Sequence, residues 1–351
     1  MNSTDKNFIS VVVPCYNEEA ILQANIATVI RYLGTISEKY DWEIIIVDDG
    51  SKDKTGTIAE EISKQNNNVR VIHHPVNLNL GLALQTGFRH AKGNIIVVLD
   101  VDLSYAVEYV GQMADKLIEK SADIVMASPY MKGGKVTGVP FSRRVMSRWV
   151  NEFMRIAAQD KYHTYTAMVR AYRTDFIRSL NLKTRDYEIS PEIVYKAMIL
   201  RARIIEIPAH LDWTEQNKFK GKRTSSIKVL RGLFSGIMSG FIFRPYFFFI
   251  AIGTILMLLS LYELVWLLWD TISDIKLARL QSPPVDDPFS FSLLLQFKRN
   301  PQSFIVGGVT FIASIQFLSL GFLSLQNKRY FEELFHLGTS LKKQKENQVM
   351  S

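Results

Sequence analysis

The 351-residue chain has a single cysteine, Cys15, so it can form neither an internal disulfide nor a thiolate metal cluster, in keeping with a reducing compartment. Its first residues, MNSTDKNFIS, lack the apolar core of a signal peptide, and we expect a fold that begins at Phe8 and stays in the cytoplasm. His73, His74, His163 and His210 show no metal-ligand spacing and receive no catalytic role. Internal repeats and long low-complexity segments are missing too. Before Trp213 there is no long apolar run. The 47% hydrophobic content comes there in short pieces broken by charge, whereas beyond Phe243 two stretches are long enough to span a bilayer. Three segments are expected: a soluble domain over 1–215, a basic juxtamembrane segment over 216–242 and a membrane domain over 243–351.

In the first segment the apolar runs Ile9–Val13, Ile44–Val47, Val69–Ile72, Ile95–Leu99 and Ile124–Ala127 suit parallel strands covered on both faces. Between the first two, Ile21, Leu22, Ile26, Val29, Ile30 and Leu33 recur at helical spacing, with Asn17 placed as an N-cap. Repeated strand–helix–strand units predict a doubly wound α/β sheet, in which ligands bind beyond the carboxyl ends of the strands. Polar clusters sit at those ends: Tyr16-Asn17-Glu18-Glu19, Asp48-Asp49-Gly50-Ser51 and Asp100-Val101-Asp102. The less regular stretch from Ser128 to Trp213 reads as the acceptor half of the same domain.

Net charge is +8, a balance that suits nucleic acid, anionic lipid or phosphorylated substrates alike. Its location decides. The densest basic run, Lys218 to Arg231, precedes an apolar stretch and merges into the helically spaced Leu230, Leu233, Phe234, Ile237 and Phe241, the pattern of an interfacial amphipathic helix on membrane lipid; nucleic acid is not an expected partner. Pro245–Trp269 carries one charge, Glu263, and Ser303–Gln326 carries none; both qualify as transmembrane helices, about 245–269 and 303–326. Lysines and arginines flank the pair on the outer side of each span, so both termini, including the C-terminal tail, are expected in the cytoplasm. Glu263, beside Tyr262 and Trp266, is expected to snorkel to the far interface. The loop Asp270–Gln302 is left without a role beyond packing on the outer face, or assembly with a flippase or a second copy.

Two aspartates separated by one residue at a strand exit can bracket a divalent cation such as Mg²⁺ or Mn²⁺. Breaking a sugar–phosphate bond builds charge on a diphosphate, which such a cation neutralises. Taken alone, Asp100-Val101-Asp102 fits an acidic loop start equally well. Asp48-Asp49-Gly50-Ser51 makes an ordinary helix entry, with Ser51 or Asp53 capping. A helix entry does not call for two adjacent carboxylates at a buried strand end, and Asp48 is suited to accept from a nucleobase N–H.

In order along the chain, VVPCYNEE (Val12–Glu19), VDDGSKDKT (Val47–Thr55), the Asn79–Gly87 stretch and DVDLS (Asp100–Ser104) resemble the family-2 glycosyltransferases of GT-A fold. Further along, SPYMKGGKVTGVPFSRRVMS (Ser128–Ser147), RAYR (Arg170–Arg173), YEISPEI (Tyr187–Ile193) and IIEIP (Ile204–Pro208) resemble the dolichyl- and polyprenyl-phosphate sugar synthases. The resemblance covers roughly residues 9 to 230 and implies inverting transfer from a nucleotide-diphosphate sugar to polyprenyl phosphate, undecaprenyl or dolichyl. It implies that Pro14, Tyr16, Asn17, Glu18, Asp48 and Asp49 line the nucleotide site, with Asp100 and Asp102 on the metal and diphosphate. It further implies that Arg143 and Ser147 grip the acceptor phosphate, with Arg170 and Arg223 near the phosphates. Arginine suits such anions because its planar charge persists at every working pH.

Departures from the family pattern are local. Pro129 stands where an arginine is usual, so Lys132 is expected to supply the missing acceptor contact. The family's D-x-T-S-G-F-R becomes Thr164–Arg170, losing an acidic residue and a glycine, and Ala106-Val107 replaces a proline pair. A phosphate acceptor tolerates the lost carboxylate, because its second pKa of about 6 leaves it largely ionised without a general base. Two other readings fit parts of the pattern: a glycosyltransferase acting on a different lipid or a polysaccharide, and a decayed nucleotide-sensing membrane scaffold. A processive synthase would need Q-x-x-R-W, and Arg148-Trp149 lacks the glutamine; retention of Asp100 and Asp102 opposes decay.

Overall fold

In a computed structural model the described residues are 6–158, 162–214, 245–279 and 287–350. The basic segment expected over 216–242, Arg223 included, lies outside them.

All five apolar runs form strands: β1 (Asn7–Cys15), β2 (Tyr40–Asp48), β3 (Val69–His73), β4 (Ile95–Val98) and β5 (Ile124–Ser128). Helices α1 (Leu22–Thr35), α2 (Thr55–Gln65), α3 (Leu80–His90) and α4 (Tyr109–Glu119) alternate with them. The first four strands pair in parallel in the order β3-β2-β1-β4. Their side chains alternate between two apolar layers. Val11, Val13, Ile44 and Ile46 pack with Leu22, Ile26, Val29 and Leu33 of α1 on one face, and Val12, Ile45 and Val47 pack with Ala83, Leu84 and Phe88 of α3 on the other. Covering both faces is what makes near-continuous hydrophobic strands necessary.

The second half breaks the parallel pattern. A short helix-capped strand, β7 (Arg170–Arg173), inserts antiparallel between β4 and β5, and β8 (Ile204–Pro208) closes the seven-stranded sheet, so the sheet is mixed rather than wholly parallel. Two stretches read as motifs are therefore strands of this sheet, RAYR inside it and IIEIP at its edge. A second, two-stranded sheet pairs β6 (Lys135–Thr137) with β9 (His210–Asp212). The helices of this half are α5 (Phe141–Ala158), α6 (Thr174–Ser179) and α7 (Ile189–Ile199). The architecture is the GT-A α/β core expected from the resemblance.

Asn17 is not the N-cap of α1, which starts at Leu22 after Ile21. It sits at φ 57° and bridges to the next loop instead. Neither Ser51 nor Asp53 is the N-cap residue of α2, which is Lys54, although Asp53 accepts from the Thr55 N–H at 3.0 Å.

Residues 245–333 form a unit of their own. Helix α8 (Pro245–Ala278) and helix α10 (Pro301–Met350) each contain a stretch long and apolar enough to cross a membrane, with mean hydropathy 2.2 and 1.8. They approach closely where glycine permits it: a Cβ on Gly253 would lie 2.9 Å from Leu318 and one on Gly321 2.7 Å from Ile250. Glu263, expected to snorkel, is half-buried: one of its carboxylate oxygens is covered, and a Cβ on Gly307 of α10 would stand at ordinary contact distance, 3.4 Å, from the Glu263 Cβ. The loop after α8 contains helix α9 (Pro288–Arg299), capped by Asp287 and pinned to α8 by Asp274, which accepts from Gln296 at 2.8 Å and Arg299 at 3.1 Å.

Candidate active site

Three strand ends meet at one edge of the sheet, since β1 pairs with both β2 and β4. The loop after β1 and the turn after β2 are stitched together by backbone and side chain alike. Asn17 N–H donates to Ser51 Oγ (3.0 Å), Lys52 N–H to Asn17 Oδ1 (2.8 Å), Glu18 N–H to Thr55 Oγ1 (2.8 Å) and Lys54 N–H to Glu19 (2.9 Å). Asn17 and Glu19 thus serve the loop's geometry, Pro14 is buried beneath it, and Tyr16 is exposed above it. Gly50 is required: at φ 68° it packs so closely under the next loop that a Cβ would sit 2.4 Å from the Val76 carbonyl carbon.

Asp48 and Asp49 are both buried, and each is held by a histidine that sequence reasoning passed over. His73 Nδ1 lies 2.9 Å from Asp48, and His74 Nδ1 lies 2.7 Å from Asp49. Asp49 also accepts from Leu78 N–H at 2.9 Å, so it fixes the β3–α3 loop, whereas Asp48 additionally accepts from Ser51 N–H at 3.1 Å. Asp49 is thereby moved from nucleotide contact to support of the loop. The missed signal was positional: parallel register sets Asp48 opposite His73, so the acidic and the histidine pairs end adjacent strands.

Asp100 and Asp102 flank the turn after β4, with Leu103 at φ 49° and Ser104 N–H donating to Asp102 at 3.1 Å. Burial, and next the charge of Asp102, push the Asp100 carboxyl up to about 7. Two carboxylates crowded in one half-buried turn repel each other, and a divalent cation between them relieves that repulsion; the donor set is oxygen only, which fits Mg²⁺ or Mn²⁺. Among the described residues no cluster of three or more metal-ligating side chains occurs, so the remaining ligands of such an ion would have to come from elsewhere. Tyr187, which sequence reasoning left unassigned, is exposed, within electrostatic reach of Asp100 and Glu18.

The turn is zipped to a second site. Asp212 N–H donates to Ser104 O at 2.9 Å, and Tyr105 bridges to Leu211. Leu211 and Trp213 then line a cavity of about 280 Å³ with Tyr130, Val139, Arg143, Met146 and Ser147. Arg143 and Ser147, one turn apart on α5, are thus brought together, and the Arg143 guanidinium lies over the Trp213 ring at 5.4 Å. Lys132 is exposed and does not line the cavity.

Arg170 is not in either site. It is fully buried on β7 and donates to the carbonyls of Ser190 (2.8 Å) and Tyr165 (2.6 Å). A guanidinium sealed this way cannot reach a diphosphate in an open cleft, so its role is to hold the 165–170 segment. That segment is well fastened. Glu206 accepts from the N–H groups of His163 and Thr164 and from His163 Nδ1, each at 2.9 Å. Asn151 accepts from Tyr165 N–H at 2.7 Å and donates to Ser147 O at 2.9 Å. The same asparagine thus ties the segment to the turn of α5 that bears Ser147.

Residues 10–180 match the sequence profile of Glycosyl transferase family 2. Among curated proteins, a dolichol-phosphate mannosyltransferase of Pyrococcus furiosus is 28% identical over 64% of this chain and 62% of its own length. A polyprenol monophosphomannose synthase of Mycolicibacterium smegmatis is 29% identical over 62% of this chain and 81% of its own. A dolichyl-phosphate beta-glucosyltransferase of Trichomonas vaginalis is 26% identical over 64% and 72%. The matched region therefore spans less than two thirds of the Pyrococcus protein.

Proposed function

With residues 10–180 forming a glycosyltransferase family 2 domain, the chain is a family-2 glycosyltransferase, and we propose that it moves a sugar from a UDP- or GDP-sugar to polyprenyl phosphate at the cytoplasmic face of a membrane. The observation that supports this reading is the zip between the Asp100–Asp102 turn, suited to a metal and diphosphate, and the Arg143–Ser147–Trp213 cavity, suited to an anion against an aromatic wall. The names of the three relatives, all polyprenyl- or dolichyl-phosphate sugar transferases, support the same acceptor class.

In the reaction an oxygen of the acceptor phosphate attacks the anomeric carbon, and the bond from that carbon to the diphosphate breaks, its electron pair leaving with the nucleotide; a single such displacement inverts the anomeric centre. No proton moves, because the attacking oxygen is already ionised. Bound at Asp100 and Asp102, Mg²⁺ or Mn²⁺ would neutralise the charge that builds on the leaving diphosphate. Arg143, braced by the Trp213 ring, binds the acceptor phosphate, and Ser147 donates a hydrogen bond to it. Asp48 reads the nucleobase, and Glu18 and Tyr187 border the donor cleft. Arg223, Lys132 and the basic run 218–231 bring positive charge toward the acceptor and anionic lipid. The two spans leave both termini in the cytoplasm, and α9 lies at the opposite face.

Transfer of radiolabelled sugar from a panel of nucleotide donors to undecaprenyl and dolichyl phosphate, with Mg²⁺ or Mn²⁺, tests the reading. One donor should give an organic-extractable, acid-labile product. Failure of every donor while nucleotide still binds overturns the acceptor assignment and favours a different lipid or a polysaccharide.

A further inference from the structure

The two histidines at the end of β3 differ in one chemical respect. His74 faces one carboxylate, Asp49, and one hydroxyl, Thr86 Oγ1 at 3.0 Å. A hydroxyl can donate or accept, so a neutral ring satisfies both bonds. His73 faces two carboxylates: Asp48 from β2 at Nδ1 and Glu60 from α2 at Nε2, each at 2.9 Å. Carboxylates only accept, and a neutral imidazole has a single N–H, so both bonds exist together only when the ring is protonated. Burial works against that charge, but hydrogen bonds and attraction from Asp48 and Glu60 outweigh it and raise the His73 pKa. Space is kept clear for the arrangement by Gly56, where a Cβ would stand 2.8 Å from Asp48 Oδ2 and 3.3 Å from the His73 ring.

We propose that His73, held as an imidazolium between Glu60 and Asp48, is a positioning residue that orients the Asp48 carboxylate for the donor's nucleobase and so sets base selection. This rests on the reading that Asp48 meets the base. With one oxygen tied to His73 and the other to Ser51 N–H, the carboxylate is fixed in direction and stays a pure acceptor. It fits the ring N–H of uracil or guanine and repels the ring nitrogen acceptor that cytosine or adenine presents there. Glu60, on the surface helix, is the remote end of the device.

Calorimetric titration of the full-length chain in detergent with Mn²⁺, using UDP, GDP and pyrophosphate from about pH 6 to about 9, tests this against the ordinary histidine pKa of about 6.5. In the wild type, affinity for the preferred nucleoside diphosphate should fall as pH rises and His73 loses its proton, with no matching fall for pyrophosphate, which lacks a base. His73→Asn keeps a donor for Asp48 without the charge; it should bind the nucleotide about tenfold more weakly and remove that extra pH dependence. Glu60→Gln, at a half-exposed site that folding tolerates, should shift the fall to lower pH. Equal losses for nucleotide and pyrophosphate, or pH curves unchanged in both variants, overturn the proposal. If Asp48→Asn weakens nucleotide binding while the His73 and Glu60 variants do not, only the role of His73 falls. If the wild type binds neither nucleotide, the reading of the cleft falls with it.

Discussion

The edge proposed for the donor and the cavity proposed for the acceptor are built by different means. Around the donor site, loops 16–19 and 48–55 are cross-linked by hydrogen bonds between backbone and short polar side chains, all anchored on parallel strands that are buried on both faces. The cavity proposed for the acceptor is held differently, by strand pairing and by bonds from outside it such as Asn151 to Ser147 O and Asp212 N–H to Ser104 O. It is assembled from α5, from the β6–β9 ribbon and from Tyr130, and its one charged group leans on an aromatic ring. A nucleoside diphosphate is a multiply polar ligand that rewards fixed partners, whereas a lipid phosphate offers one anion and a greasy tail. Charge at one point and apolar surface around it are enough for the second.

The largest loss is expected at the edge proposed for the donor. Asp102→Ala should lower kcat/KM by about 10²–10³-fold or more, since it removes charge stabilisation at the leaving group, and added Mn²⁺ should not restore it. EDTA treatment of the wild type should give a similar loss that Mg²⁺ or Mn²⁺ reverses. Arg143→Ala should raise the KM for polyprenyl phosphate by about 10- to 100-fold while leaving the KM for the nucleotide sugar unchanged; a shared rise in both would erase the distinction between the two sites.

A stability difference is expected as well. Glu206 is buried and serves three donors, so Glu206→Ala should cost about 2–4 kcal/mol in denaturant unfolding of the domain, with the acceptor KM rising because the 164–166 segment loosens. A pH response is expected from helix α7. Burial raises the Glu192 carboxyl, but hydrogen bonds from Lys196 and from the Thr184 and Lys183 N–H groups outweigh it and hold the pKa below the usual range. That contribution is present above the unfolded glutamate value of about 4.3 and is lost as pH falls through the lower folded value. Acid melts of Lys196→Met should therefore show a shallower decline than those of the wild type. The smallest effect is expected from Lys132→Ala, whose exposed side chain stands clear of the cavity: a change of no more than about threefold in acceptor KM.

The donor half was legible because each strand and its polar exit are contiguous in sequence: Ile44–Val47 and Asp48 are read in one glance, as are Ile95–Leu99 and Asp100. The histidines escaped because their meaning depends on register between β2 and β3, which no run of residues displays. Arg170 misled for a related reason. A conspicuous arginine beside a divergent motif suggested phosphate, yet four residues of alternating character, RAYR, were enough to make a central antiparallel strand that draws it inside. Glu263 likewise looked free to reach the interface, yet one of its carboxylate oxygens is buried. Asn17 had the right residue type for a cap, but its φ of 57° turns the chain toward the 51–52 turn instead.

The antiparallel strand β7 also sets a timetable. Ile95 of β4 pairs with Arg173, and β5 reaches the sheet only through β7. A chain emerging from the ribosome can settle β1 to β4 early, but the outer edge of β4 stays open, with unpaired amide and carbonyl groups, until residue 173 has been made. The catalytic domain therefore cannot be divided between its two substrates: a fragment that stops before β7 would carry the whole donor edge together with a raw strand ready to pair with a neighbour, and would aggregate on release.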